Sequence, residues 1–118
     1  MEEEKQQQVD IDISFKRDLE YIKHDVLAKQ PNGCYTKWSR ALNSVTVINT
    51  TAAQYIDYWV KQYKNNPEMA ELIEQACIEK LENGLIPTEQ MIEMVKSSKD
   101  FKAEKMRAIE ALGGEYNE

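Results

Sequence analysis

The sequence predicts a mainly α-helical protein, a compact bundle of about five to six short helices in one domain. A chain of 118 residues is long enough for one self-sufficient core. Its apolar residues recur mostly at helical spacing, and short polar joints with Pro, Gly or Asn separate the helical segments. We expect residues 1–8 to form a disordered acidic and amide-rich tail, residues 9–113 the helical domain, and residues 114–118 a short acidic tail.

In the first ordered segment, the spacing of the apolar residues changes from that of a strand to that of a helix. Apolar and acidic residues alternate in "VDIDI", which predicts a short strand over 9–13. Helical spacing follows, at Phe15, Leu19, Ile22 and Val26. This spacing predicts a helix over 14–29 with Ser14 as its N-cap, and the "PNG" of 31–33 ends it.

The central segment divides into a helical and an extended part. Tyr35, Trp38 and Leu42 stand at spacings of three and four, so "YTKWSRALN" predicts a short helix. The β-branched residues of "SVTVINT" favour extended backbone. We expect 45–49 to pair with 9–13 as a two-stranded β element, and a plain extended connector fits equally well.

Two further helices have clear start signals. Thr51 and Gln54 form a capping box for a helix from Ala52 to about Lys64. Asn66 and Pro67 are suited to the cap and first residue of an acidic helix. We expect Gly84 to end this helix in the left-handed conformation.

The C-terminal region predicts two short helices. Thr88 is expected to cap the first, and "SSKD" of 97–100 supplies the next turn. The second carries Phe101 and ends at Gly113 and Gly114.

Charge is unevenly distributed along this chain of net charge −6. Residues 1–13 carry one Lys against five acids, residues 14–64 carry eight Lys or Arg against four acids, and residues 65–118 carry six against twelve. No apolar run approaches the roughly 20 residues of a membrane helix, and the N-terminus lacks the pattern of a secretory signal. We therefore expect a cytoplasmic protein that does not enter a membrane, with Cys34 and Cys77 as free thiols.

The residues offer little for catalysis, so we predict no catalytic, metal-binding or cofactor-binding residues and a non-enzymatic protein. His24 is the only histidine, and the two cysteines lie far apart in sequence, which argues against a zinc site. All four glycines fall at predicted helix ends, so no phosphate-binding loop is present. Glu20 and His24 are one helical turn apart, and we interpret them as a solvated pair.

Binding is the remaining class of function, and the segment 35–64 is its best candidate. Eight of the ten aromatic residues lie between Phe15 and Tyr63, in the part with net positive charge. We place Trp38, Trp59 and Tyr63 in the core because they lie on apolar stripes. The residues left for a surface are Tyr35, Lys37, Arg40, Tyr55, Tyr58, Lys61 and Lys64.

Two kinds of partner fit such a surface. Exposed Tyr and Arg are typical of interface centres, so we predict interaction with a protein partner or self-association. The alternative is single-stranded or duplex nucleic acid, held by cations and stacked aromatic rings, although a pI near 4.9 opposes it. A helix-turn-helix over 88–112 is a further route to DNA, but its turn lacks Gly and acids interrupt its basic face.

The pattern "QPNGCYTKWSRALNSVTVINTTAAQYI" resembles small uncharacterised proteins encoded on phages and conjugative elements of Gram-positive bacteria. In those proteins a Pro-Asn/Asp-Gly turn precedes a Tyr, a Ser and a Thr-capped helix with Tyr-Ile. The resemblance covers residues 27–57. It implies a bacterial mobile-element origin and an accessory or regulatory role, and it supplies no catalytic residues.

Overall fold

A computed structural model describes the backbone of residues 2–116 and the side chains of residues 10–116. Helix α1, Glu2–His24, leads into a three-stranded antiparallel sheet. The strands are β1 (Val26–Lys29), β2 (Tyr35–Ser39) and β3 (Ser44–Thr50). The later elements are α2 (Ala52–Val60), a 3-10 turn (Lys61–Tyr63), α3 (Pro67–Asn83), α4 (Thr88–Ser97) and α5 (Lys102–Ala111). The fold is therefore mainly α, but it contains a sheet and is not an all-helical bundle.

The sheet differs from the predicted two-stranded element. Residues 9–13 belong to α1, so their predicted pairing with 45–49 is wrong. The segment 45–49 is extended as expected, but it pairs with β2, whose end is only a short turn away. Closing a short loop loses less chain entropy than closing one of more than 30 residues, which favours the local hairpin.

Parts of two predicted helical segments are strands instead. The helix expected over 14–29 is part of α1 and ends at His24, so Ser14 lies inside α1 and is not its cap, and 26–29 is β1. The helix expected over 35–43 is replaced by β2 and a turn. Tyr35 and Trp38 do not share one helical face, because a spacing of three places strand residues on opposite faces.

Those opposite faces are both covered, which gives a three-layer domain. The first core packs α1, α2 and α3 against one face of the sheet, and it contains Ile22, Leu27, Tyr35, Tyr55, Trp59, Tyr63, Ile73, Cys77 and Leu81. The second core packs α4 and α5 against the other face, and it contains Val26, Ala28, Trp38, Met91, Val95, Ala108, Ile109 and Leu112. The sheet is thus the central layer.

Local signals set several helix ends correctly. The Thr51–Gln54 capping box is confirmed, with Gln54 N donating to Thr51 Oγ1 at 3.0 Å and Thr51 N donating to Gln54 Oε1 at 2.9 Å. Asn66 caps α3 as expected, accepting from the amide of Met69. Gly113 adopts the left-handed conformation with φ of 84°.

Two other predicted ends are wrong. Gly84 has φ of −111° rather than a left-handed value, because its amide simply continues the helical bonding to Lys80 O. Thr88 lies inside α4, and its hydroxyl donates to Lys29 O instead of capping the helix.

The predicted tails are only partly described. The backbone of residues 2–8 forms the start of α1, and the prediction of a disordered tail over 1–8 stays a prediction because the side chains there lie outside the description. At the other end Tyr116 packs against the second core, and residues 117 and 118 lie outside the described part. Within the described residues, no helix combines the length and apolar character that crossing a bilayer demands.

A buried polar network holds the β1–β2 turn against β3. Gln30, almost fully buried, accepts from Thr36 Oγ1 at 2.8 Å and from the amide of Asn49 at 2.9 Å. Its Nε2 donates to Asn49 Oδ1 at 2.7 Å and to Asn32 Oδ1 at 3.2 Å. Asn49 has φ of 58° and lies where the β2–β3 register shifts, so this side-chain network stabilises a β-bulge.

The two edges of the sheet have different surroundings. Along β1, the amide of Ile86 donates to Leu27 O at 2.9 Å, and Thr88 covers Lys29 O. At the start of β3, Ser44 Oγ donates to Asp100 Oδ1 at 2.6 Å. The rest of β3 is an irregular strand with two register shifts relative to β2.

Candidate functional site

A groove of about 1050 Å³ lies over the sheet face that carries the first core. Its walls are the C-terminal end of α1, one side of α2, and the part of the sheet where Lys37 of β2 pairs with Val47 of β3. Helix α2 covers the Tyr35 end of this face but leaves the Lys37–Val47 end open. Val47 is 42% exposed, although it lies on the covered side of a β-sheet.

Three aromatic rings form one wall of this groove. Tyr58 packs edge-to-face on Trp59 with ring centroids 5.2 Å apart, and Tyr21 of α1 lies 6.4 Å from Trp59. Trp59 is buried, whereas Tyr58 and Tyr21 are 52% and 54% exposed. The wall therefore has one fixed ring supporting two accessible ones.

Cationic side chains lie against these rings. Lys37 Nζ is 5.6 Å from the Tyr58 ring centroid and 5.4 Å from that of Trp59. Lys61 Nζ lies 5.4 Å from the Tyr58 centroid, and Arg17 lies 5.8 Å from that of Tyr21. Tyr58 is thus exposed and has two ammonium groups within cation–π distance of its ring.

Asp25 organises the floor of the groove where α1 ends. Its Oδ2 accepts a 2.5 Å hydrogen bond from the Tyr55 hydroxyl and lies 3.6 Å from Lys37 Nζ. Burial raises the pKa of Tyr55 above its ordinary value, and the bond to the Asp25 carboxylate raises it further. The phenol therefore stays protonated and holds α2 to the end of α1.

Lys80 supports the same corner from α3. Its Nζ donates to Lys23 O at 2.7 Å and to Asp25 O at 2.8 Å, which satisfies carbonyl groups at the end of α1. Burial lowers the pKa of Lys80, the Asp25 charge opposes this shift, and the charge of Arg40 adds to it. The corner around Asp25 therefore has several cations near one carboxylate.

The ionisable groups of the groove are mostly held in pairs. Asp25 is bound as described, and His24 Nε2 lies 3.3 Å from Glu20 Oε2 on the exposed face of α1, as the spacing predicted. Cys77 is buried in the first core, and burial raises the pKa of its thiol to about 12. The described residues contain no group of three or more His, Cys, Asp or Glu placed to hold a metal ion.

The structure divides the predicted surface residues into three groups. Lys37, Arg40, Tyr55 and Tyr58 line the groove, and Lys61 lies beside it against Tyr58. Tyr35 is buried in the first core, so it does not form an accessible surface. Lys64 is exposed but lies outside the lining of the groove. Tyr55 is also buried and contributes its hydroxyl to the floor rather than an exposed ring.

Sequence reasoning missed three residues of the site. Tyr21 was not singled out, although it lies off the apolar stripe of α1 and one turn after Arg17, which was an available signal. Trp59 was assigned to the core, where it does lie, but one side of it also forms the groove wall. The sequence around Val47 does not indicate that this residue is exposed, because its exposure depends on how far α2 extends over the sheet.

Comparison with known proteins gives no further identification: no protein family, no curated protein and no solved structure matches this chain.

Proposed function

We propose that this is a small non-enzymatic binding protein that holds a segment of a partner protein in the groove over its sheet. The observation that carries the proposal is the exposed pair Tyr21 and Tyr58 around the buried Trp59, next to the open Val47. Tyr, Trp and Arg dominate the energetics of protein interfaces, and a rigid ring supporting accessible rings suits a binding centre. An accessory or regulatory role in the cytoplasm, with a mobile-element origin, remains part of the proposal and rests on the resemblance of residues 27–57.

The groove chemistry supports binding more than catalysis. Its carboxylate, Asp25, is hydrogen-bonded to Tyr55 and ion-paired with Lys37, so it is committed to holding α1 and α2 together. Joining α1 to α2 through Oδ2 accounts for this carboxylate without a catalytic role. The open Lys37–Val47 end instead gives room for a side chain from a partner.

A selection from a random peptide library displayed on phage tests this proposal. Val47→Trp fills the open end of the groove, and Leu72→Trp is the matched control, because Leu72 is an exposed apolar residue of α3 outside the groove. We expect enriched peptides to bind the wild type and Leu72→Trp alike, and to lose about tenfold or more in affinity for Val47→Trp. Failure to enrich any peptide, or equal binding to all three proteins, would contradict the proposal.

Nucleic acid is the second candidate, favoured by one specific arrangement. Tyr58 is exposed and has the ammonium groups of Lys37 and Lys61 near its ring. A base that displaced one of these cations could stack on the ring, and the displaced cation could contact a phosphate. Titration of Trp fluorescence with single-stranded and duplex oligonucleotides at low and high salt tests it. Saturable quenching that weakens steeply with salt is the expected result for this candidate, and no response at either salt would remove it.

A further inference from the structure

The charges around the groove indicate the chemistry of its occupant. Arg40 and Lys61 make no ion pair with any carboxylate among the described residues. Asp57 precedes Lys61 by one helical turn, yet the Lys61 ammonium lies against the Tyr58 ring instead. Lys37 is ion-paired with Asp25, but the same carboxylate also accepts the hydrogen bond from Tyr55 and interacts electrostatically with Lys80. Two cations, Arg40 in the groove lining and Lys61 beside it, are therefore left without an ion-pair partner among the described residues.

Between these cations the groove offers an apolar position. Val47 is half-exposed on β3 and is paired in register with Lys37, whose ammonium points to the rings of Tyr58 and Trp59. A side chain placed beside Val47 would lie in the groove that Val47 lines together with Tyr58 and Trp59. An aromatic or branched aliphatic side chain is the type that gains most from burial there.

Two other polyanionic occupants fit less well. A nucleic acid carries a charge at every phosphate, whereas the groove has few free cations and the protein as a whole carries −6. A second copy could bring the acidic face of α3, but α3 is not part of the groove wall. That contact would join two different surfaces of the chain, and nothing in the groove itself is complementary to a second groove.

We infer that the groove takes a short extended acidic segment of a partner protein, with one aromatic or branched aliphatic side chain beside Val47 and carboxylates facing Arg40 and Lys61. This inference rests on the proposed function and specifies the partner segment. The cations at the rim accelerate encounter and select against basic segments, and the apolar position holds the bound segment.

The probes for the test are a random copolymer of Glu and Tyr, a polyglutamate of similar length, a random copolymer of Lys and Tyr, and oligothymidylate. Binding is followed by Trp fluorescence, and a Trp59→Phe variant separates the response of Trp59 from that of Trp38, which also borders the groove. We expect the Glu–Tyr copolymer to bind best and polyglutamate more weakly, and the Lys–Tyr copolymer not to bind. Tighter binding of oligothymidylate than of the Glu–Tyr copolymer would overturn the inference in favour of nucleic acid.

Charge reversal provides the matched comparison. Arg40→Glu and Lys61→Glu should each weaken binding of the Glu–Tyr copolymer about tenfold, whereas Lys64→Glu should change it by less than about twofold. Lys64 is an exposed lysine only three residues from Lys61. Unlike Lys61, it has no contact with an aromatic ring of the groove among the described residues, so the same change of charge tests the position of the cation. Equal effects of Lys61→Glu and Lys64→Glu would show a nonspecific charge effect and overturn the inference.

One result separates this inference from the proposed function. If library peptides bind in a Val47→Trp-sensitive manner but are neutral or basic, the proposed function stands and the acidic occupant is refuted. If neither library peptides nor copolymers bind, both fail together. Concentration-dependent self-association in sedimentation that Arg40→Glu abolishes would also overturn the inference, because the occupant would then be a second copy.

Discussion

Removing the hydroxyl of Tyr63 should destabilise the protein although the change is only one oxygen atom. Tyr63 Oη donates a 2.7 Å hydrogen bond to Oδ2 of Asp18, which is 2% exposed in α1. The other contact of this carboxylate is Arg17, at 3.4 Å from Oδ1. Tyr63→Phe would leave a buried carboxylate oxygen without a donor, which costs about 2 kcal/mol of unfolding free energy.

Urea unfolding followed by circular dichroism measures this loss. For a domain of this size, about 2 kcal/mol corresponds to a decrease of roughly 1 M in the midpoint, with the slope m unchanged. Tyr58→Phe is the matched control, because the Tyr58 hydroxyl is exposed and makes no hydrogen bond among the described residues, so it should stay within about 0.5 kcal/mol of the wild type. A change below about 0.5 kcal/mol for Tyr63→Phe would show that the buried Asp18 carboxylate does not depend on this hydrogen bond.

Alkaline pH gives an independent check on the same bond. Burial raises the pKa of Tyr63, and the hydrogen bond to Asp18 raises it further. The pKa of Tyr63 in the folded protein lies above the unfolded value of about 10, so the stabilisation that this hydrogen bond contributes is complete below about pH 10. This stabilisation is lost as the pH rises above about 10, by about 1.4 kcal/mol per pH unit. The gap between wild type and Tyr63→Phe should therefore narrow between about pH 10 and 11, and a constant gap would contradict the assignment.

Three further predictions concern other parts of the molecule. Thr51→Ala removes the capping box of α2 and should lower the unfolding free energy by about 1 kcal/mol in urea, whereas no loss would show that α2 does not need its cap. Gln30→Met leaves Thr36 Oγ1 and the amide of Asn49 unpaired, so we expect a loss of about 3 kcal/mol in the same assay, and a loss below about 1 kcal/mol would contradict the buried network. Cys77 is fully buried with its thiol pKa raised to about 12, so a thiol reagent at neutral pH should modify half-buried Cys34 first and Cys77 only at the rate of unfolding. Equal rates for both thiols would refute that placement.

The features that the sequence predicted correctly depend on local interactions. The capping box at Thr51 and the cap at Asn66 need only residues within one helical turn, so a single sequence is sufficient to find them. The strands β1 and β2 were missed because both faces of the sheet are covered. Their buried residues follow one another without strict alternation, as in "VLAK", and such short apolar runs also fit a helix.

The candidate site shows the same division between local and distant interactions. The positions of Lys37, Tyr58 and Lys61 at or beside the groove agree with their choice as surface residues, and whether that surface binds a partner stays a prediction. Tyr21 and Trp59 meet because α1 packs beside α2 in the first core, where the Asp25–Tyr55 and Asp18–Tyr63 hydrogen bonds also join the two parts of the chain. That contact joins segments more than 30 residues apart in the sequence. The spacing of apolar residues within either segment does not indicate it.

The edges of the sheet also bear on how the protein behaves when it is concentrated. An open, regular strand edge can add strands from other molecules and so begin fibril growth. Here the α3–α4 connection occupies the β1 edge through Ile86, and Asp100 places a carboxylate at the start of β3. Asn49, in the left-handed conformation, lies at a β-bulge, which increases the twist of β3. A sheet this small is thereby kept from serving as a template, and the protein can present an open groove without offering a strand edge for aggregation.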